Sequence, residues 1–365
     1  MNFELTEDEE MLKAVVERFV ADRYDVEKRR KYLKEPGGYS AENWSVLAEL
    51  GLLAIPFSED DGGLGLDATA LSVVFQALGR GIVVEPLLES AILPGLYLAA
   101  GLSGATRDEW VEAILAGERR VALARAEAGM QDAQWSVALR DGANGSAVLS
   151  GRKPYAIAGG EADGFIVAAP QEDGTQALFL VPAGAEGLEL REWRFADGSF
   201  TASLILDDVE VPADHRLTLS EGLSERIETL ATLARTSEAL GVMDAMFKET
   251  LDYLRTREQF GTKIGKFQAI QHRMAALYAT LEQSRSLIDT AIVSEETDRF
   301  AANTLGARAF IAEHSLKLGH EMIQMHGGMG ITDELTIGQA HKRLLVLSRW
   351  PEQPQATLDR YAEAM

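Results

Sequence analysis

The chain contains no cysteine. Disulfides, thiolate nucleophiles and Cys-based zinc or iron–sulfur centres are therefore excluded. Basic charge is scarce as well: 35 Lys and Arg stand against 57 Asp and Glu, a formal net charge of −22. Nucleic acid and anionic membrane surfaces need clustered cations, so neither is an expected partner. No run of roughly 18 apolar residues occurs, which argues against a membrane span. The start, MNFELTEDEEMLK, is acidic and has no apolar signal core, so export is not indicated. The six histidines include no HExxH pair. His314 and His320 fall on different helix faces, so no metal site is expected. No GxGxxG follows a strand pattern, which argues against a Rossmann domain. A soluble cytoplasmic enzyme fits these absences.

What is present is bulk and periodicity. The 365 residues are 46% hydrophobic, enough for a large core divided among two or three domains. Over 1–117 the pattern is helical: Leu12, Val15, Val16 and Phe19 make one stripe, and Trp44, Leu47, Ala48, Leu50 and Leu52 another. Ser40 and Thr106 stand where helix caps are expected. Over 118–216 the period changes to two, with short runs such as DGFIVAA and ALFLVP separated by DG, NG and PAG turns. From 217 to 365 the helical period returns in long elements, 223–257, 265–294 and 298–325. The expected class is α+β: an N-terminal helical domain, a central β-barrel or sandwich, and a C-terminal four-helix bundle able to bury surface between subunits.

Two stretches carry chemistry. In YLRTREQFGTKIGKFQAIQ (253–271), Gly261 and Gly265 bracket a break between two helices and Thr262 is a candidate cap. Arg257, Gln259 and Phe260 place a guanidinium, an amide and an aromatic ring at that corner, which suits a phosphate and a flat ring. The plain alternative is that Arg257 is a solvated helix-end cation beside Glu258. In QMHGGMGIT (324–332), Gly327, Gly328 and Gly330 allow close approach to the main chain; a Gly-terminated helix is the ordinary reading.

RxQFG…FQAIQ and QxxGGxG at this separation, with ELGLLAIPFSEDDGGLGL (49–66) earlier, resemble the acyl-CoA dehydrogenase family over nearly the whole chain. The resemblance implies FAD as cofactor and α,β-oxidation of an acyl-CoA thioester. In that chemistry a carboxylate removes the α proton and the β hydride passes to flavin N5. It also implies that Arg257, Gln268 and the run from Gln324 to Gly327 and Gly328 hold the diphosphate and adenosine of FAD across a dimer interface. An electron-transfer flavoprotein would be the acceptor.

The chain departs from the family at the base. Where common members carry Glu-Gly-Thr it reads Trp350-Pro351, with Glu352 adjacent. Where a family variant places its base it has Ala231. Glu238 lies two turns on from Ala231, with Ala234, Gly241, Val242 and Ala245 around it. A carboxylate on that small apolar face would be desolvated, as a base near neutral pH requires. A similar branch, resembling steroid side-chain dehydrogenases, has a Glu there. Glu238 is thus the candidate base, and a surface ion pair with Arg235 is the alternative. The flavin-facing loop departs too, with Ala126 and Ala128 in RAEAGMQDA and Pro154-Tyr155-Ala156-Ile157 lacking the family's Thr. Two assemblies stay open: a homotetramer, or a heterotetramer in which this chain completes the FAD site of a second acyl-CoA dehydrogenase-like chain.

Overall fold

The computed structural model describes residues 5–125, 136–171 and 175–365. Helices come first: α1 (Glu7–Arg23), α2 (Val26–Tyr32), α3 (Ala41–Glu49), α4 (Ala68–Gly81), α5 (Leu93–Gly101) and α6 (Gly104–Leu115). Among the described residues eight strands follow: β1 (Val121–Ala124), β2 (Val137–Asp141), β3 (Ala147–Ile157), β4 (Gly164–Pro170), β5 (Gln176–Pro182), β6 (Leu188–Arg194), β7 (Phe200–Val211) and β8 (Arg216–Leu217). The rest is α7 (Leu223–Thr256), a two-strand ladder β9 (Glu258–Gln259) and β10 (Thr262–Lys263), α8 (Gln268–Ile292), α9 (Phe300–His326), α10 (Thr336–Arg349) and α11 (Pro354–Ala364). The helical–β–helical order is the one the changing periodicity indicates.

The chain divides into two compact units. One gathers the described residues up to Lys31 with Ala68–Val83 and Thr229–Met365. Its core is a four-helix bundle in which Leu240, Met243 and Met246 of α7 meet Met274, Leu281 and Ile288 of α8, Ile311, Leu318 and Met322 of α9, and Ile337 and Leu344 of α10. α4 crosses α7 at backbone contact. A Cβ on Gly79 would lie 2.2 Å from the Glu238 carbonyl oxygen, and one on Gly241 would lie 2.1 Å from that of Gln76. The Ser72 and Ser237 hydroxyls bond at 2.8 Å in the same crossing. Glycine is required at both positions because two main chains touch there.

The other unit, Tyr32–Asp67 and Val84–Glu228, holds two four-stranded sheets ordered β1-β4-β5-β8 and β2-β3-β7-β6. Phe165, Val167, Phe179 and Val181 from the first share one apolar core with Leu149, Leu204, Leu206 and Val209 from the second. Of the barrel or sandwich expected from the two-residue period, the strands form the sandwich. Ser40 caps α3, accepting from the Asn43 N–H at 3.4 Å. Thr106 is not a cap: α6 begins at Gly104, and Thr106 donates instead to Asp214 at 2.6 Å.

Candidate functional site

α7 ends where Arg257 and Glu258 leave the helix into the β9–β10 ladder, with Gln259 paired to Thr262 and Glu258 to Lys263. Thr262 is thus a ladder residue and not the cap of α8, whose N-cap is Phe267. Phe260 (φ 55°) and Gly261 (φ 75°) form the two-residue turn, both left-handed, as the twist of so short a hairpin demands. Phenylalanine is costly in that region, and here its ring is 91% exposed. The main chain of Arg257 is fixed from both sides: its N–H bonds the Tyr253 carbonyl at 2.8 Å, and its carbonyl accepts from Ile264 at 2.9 Å. Among the described residues no carboxylate meets its guanidinium. Between 257 and 267 there are three cations and one acid, a local positive surplus on a strongly acidic chain.

α9 runs to His326 and stops at Gly327, whose φ of 64° and ψ of −144° only glycine adopts readily. Gly330 has a packing reason, since a Cβ there would come 2.7 Å from the Ile323 carbonyl oxygen. Gly328 has none: its φ is not left-handed, and a Cβ would meet nothing within 4 Å. The His326 ring stacks on Tyr253, centroids 4.3 Å apart and planes 22° from parallel. Tyr253 is one turn before Arg257, so the two sequence stretches converge at one end of the bundle. Gln259, Gln268, Gln324, Gly327 and Gly328, like Arg257, are exposed.

Comparison with known proteins identifies the frame. Family models of the acyl-CoA dehydrogenase N-terminal and C-terminal domains match residues 6–118 and 227–351. The chain belongs to the acyl-CoA dehydrogenase family. It is 29% identical to acyl-CoA dehydrogenase FadE27 of Mycobacterium tuberculosis over 341 residues, 91% of this chain and 90% of that protein. It superimposes on a chain of the ChsE4-ChsE5 complex from Mycobacterium tuberculosis with a TM-score of 0.90 at 26% identity, covering 100% of this chain and 98% of that one. A variant of the Tcur3481-Tcur3483 steroid ACAD follows, with a TM-score of 0.87 at 25% identity, covering 98% and 97%. Family members are oxidoreductases whose cofactor is FAD. The corner fits part of that cofactor: a guanidinium on a held main chain, which no carboxylate meets among the described residues, and a glycine turn with open space beside its main chain suit a diphosphate.

The acid–base positions are arranged differently. Ala231 is buried and carries no chemistry. Trp350 closes α10. Its carbonyl accepts from the Arg308 guanidinium at 2.9 Å, and the Leu347 carbonyl is bound by the same group. Arg308 is 2% exposed. Burial, joined by the charge of Arg235 and opposed by Glu352, lowers it to about 10. It caps the negative end of α10. The Glu352 carboxylate accepts from Thr357 and Arg360, each at 3.0 Å. Glu238 is 7% exposed, among buried Ala234 and Val242 as its spacing suggests. Its carboxylate is gripped at two points by Arg343 of α10, Nε to Oε1 at 2.6 Å and Nη2 to Oε2 at 2.9 Å.

Of the flavin-loop positions, Ala126 and Ala128 lie outside the described residues. Tyr155 near the end of β3 packs against Trp193 and Phe195, ring centroids 5.5 and 6.5 Å away. The sequence reading missed Arg343, because a partner 105 residues distant leaves no local signal. It also missed the Tyr253–His326 stack, although a His directly before the paired glycines was visible.

Proposed function

We propose that this chain works in the α,β-desaturation of an acyl-CoA thioester as one member of a paired assembly. Arg257, Gln268, Gln324 and the Gly327–Gly328 turn bind the diphosphate and adenosine of a FAD whose ring lies on a second, related chain. Gln259 and Phe260 present the hairpin that borders it. FAD, when bound, supplies the hydride acceptor for the Cβ–H bond. The observation carrying this reading is the contrast between the two halves of the chemistry. The Arg257 guanidinium meets no carboxylate among the described residues, whereas the two candidate bases, Glu238 and Glu352, are already bound by Arg343 and by Thr357 and Arg360. The partner then supplies the base. A heteromeric complex among the structural neighbours gives the precedent for two unlike chains. The likeness to the Tcur3481-Tcur3483 steroid ACAD makes a steroid-side-chain acyl-CoA the first thioester to try. An electron-transfer flavoprotein is the proposed electron acceptor, and the assembly a tetramer.

A second reading keeps Glu238 as the base of a self-sufficient enzyme. Its burial on α7, on a face of small side chains, favours that, and Arg343 would have to release it for each turnover. Purification separates the two readings. The paired reading expects a colourless chain that becomes yellow only when co-expressed with its partner, and an activity indifferent to Glu238→Gln. A stoichiometrically yellow chain that loses activity in Glu238→Gln would overturn it in favour of the second.

A further inference from the structure

The guanidinium corner and the glycine turn come from chain segments 70 residues apart, and a diphosphate needs both at one spacing. Regular helix geometry does not set that spacing, because each segment begins where its helix ends. The Tyr253–His326 stack bridges the two segments directly. On one side, Tyr253 passes its position to Arg257 through a main-chain bond of 2.8 Å. On the other, His326 is joined covalently to Gly327. His326 is itself pinned: it is 5% exposed, its Nδ1 sits 2.9 Å from the Met322 carbonyl, and Gly330 folds back against its Cβ. The bond to a carbonyl puts the proton on Nδ1. Burial lowers the pKa of the ring, the Met322 bond opposing, so a neutral imidazole lies on the phenol and adds no second cation beside Arg257.

We propose that Tyr253 and His326 are a positioning pair that sets the distance between Arg257 and the Gly327–Gly328 turn, and with it the affinity for the FAD diphosphate. The inference rests on the reading of the corner as a diphosphate site. Neither ring need touch the cofactor. An aromatic stack of this kind contributes on the order of 1 kcal/mol beyond its buried area, equivalent to several-fold in affinity, and misplacement of a binding group adds to that.

The test is titration of FAD, and separately of ADP, into the full chain co-purified with its partner and stripped of flavin. Tyr253→Leu and His326→Leu should each raise both dissociation constants about tenfold. The double variant should be no worse than the singles, because the two act as one device. Tyr253→Phe, which keeps the ring, should stay within about twofold of the parent. Equal weakening for ADP and FAD places the effect at the adenosine diphosphate half that the two share, and a urea midpoint kept at the parent's value excludes a general loosening of the fold. Arg257→Ala is the reference. If it weakens binding while both leucine variants bind as the parent does, the positioning pair is wrong and the diphosphate site stands. If Arg257→Ala itself changes nothing, the site reading falls and the pair with it. Should a leucine variant fail to fold, Tyr253→Met and His326→Gln fill the space without a ring, and parental affinity in both overturns the proposal.

Discussion

Glu238 shows how far a single residue can be read from its neighbours. The small apolar side chains at Ala234, Val242 and Ala245 are helix-local, so a buried carboxylate could be inferred from spacing alone. Arg343 could not, since tertiary packing alone brings it there. A buried pair is strongly destabilised by removing one partner, which strands the other charge. Glu238→Gln is accordingly expected to cost about 3 kcal/mol in urea unfolding. Little change in the urea midpoint would mean that the pair is loose enough to open, and the case for a base would gain. Two histidines give the pH dependence. His341 is lowered by burial and then by the charge of His320, and His326 by burial. Both folded values lie below the unfolded 6.5, so the fold favours the neutral rings. Their contribution is complete above the unfolded pKa and is lost as pH falls through it towards the folded values. The urea midpoint should therefore drop between about pH 7.5 and 5.5, and His341→Gln should flatten that drop.

At the scale of elements, periodicity located the long helices closely. The expected spans 223–257, 265–294 and 298–325 are realised as Leu223–Thr256, Gln268–Ile292 and Phe300–His326. The ends were less legible, because the β9–β10 ladder is two residues per strand and too short to show a period. Glycine roles also divide here. Gly241 lies where α4 and α7 touch, and an added Cβ would stand 2.1 Å from a main-chain oxygen that cannot step aside. Gly104 has φ 65° but nothing within 4 Å. Gly241→Ala should thus cost about 3 kcal/mol or more through overpacking, and Gly104→Ala only about 1 kcal/mol through backbone strain. Thermal melts of the two variants check this, and similar losses would mean that the crossing helices can separate without penalty.

For the whole molecule, the order of helical, β and helical parts was legible because it depends on repeated local patterns. The assembly was not, because a surface becomes an interface only through a partner absent from the sequence. The exposed apolar residues near the corner, Phe260 at 91%, Ile331 at 70% and Met329 at 55%, bring the two levels together. Phe260 combines a left-handed backbone with a solvent-facing ring, and both are unfavourable in the isolated chain. The ring is retained, on the paired reading, because a second chain covers it. Phe260→Asn separates the two effects, since asparagine tolerates that backbone. The isolated chain should become more stable by about 0.5–1 kcal/mol, while the assembly with its partner weakens and releases FAD on dilution. Light scattering and urea unfolding of the same preparation read both signs. A variant that gains stability and still assembles as tightly as the parent would place the subunit interface elsewhere on the bundle.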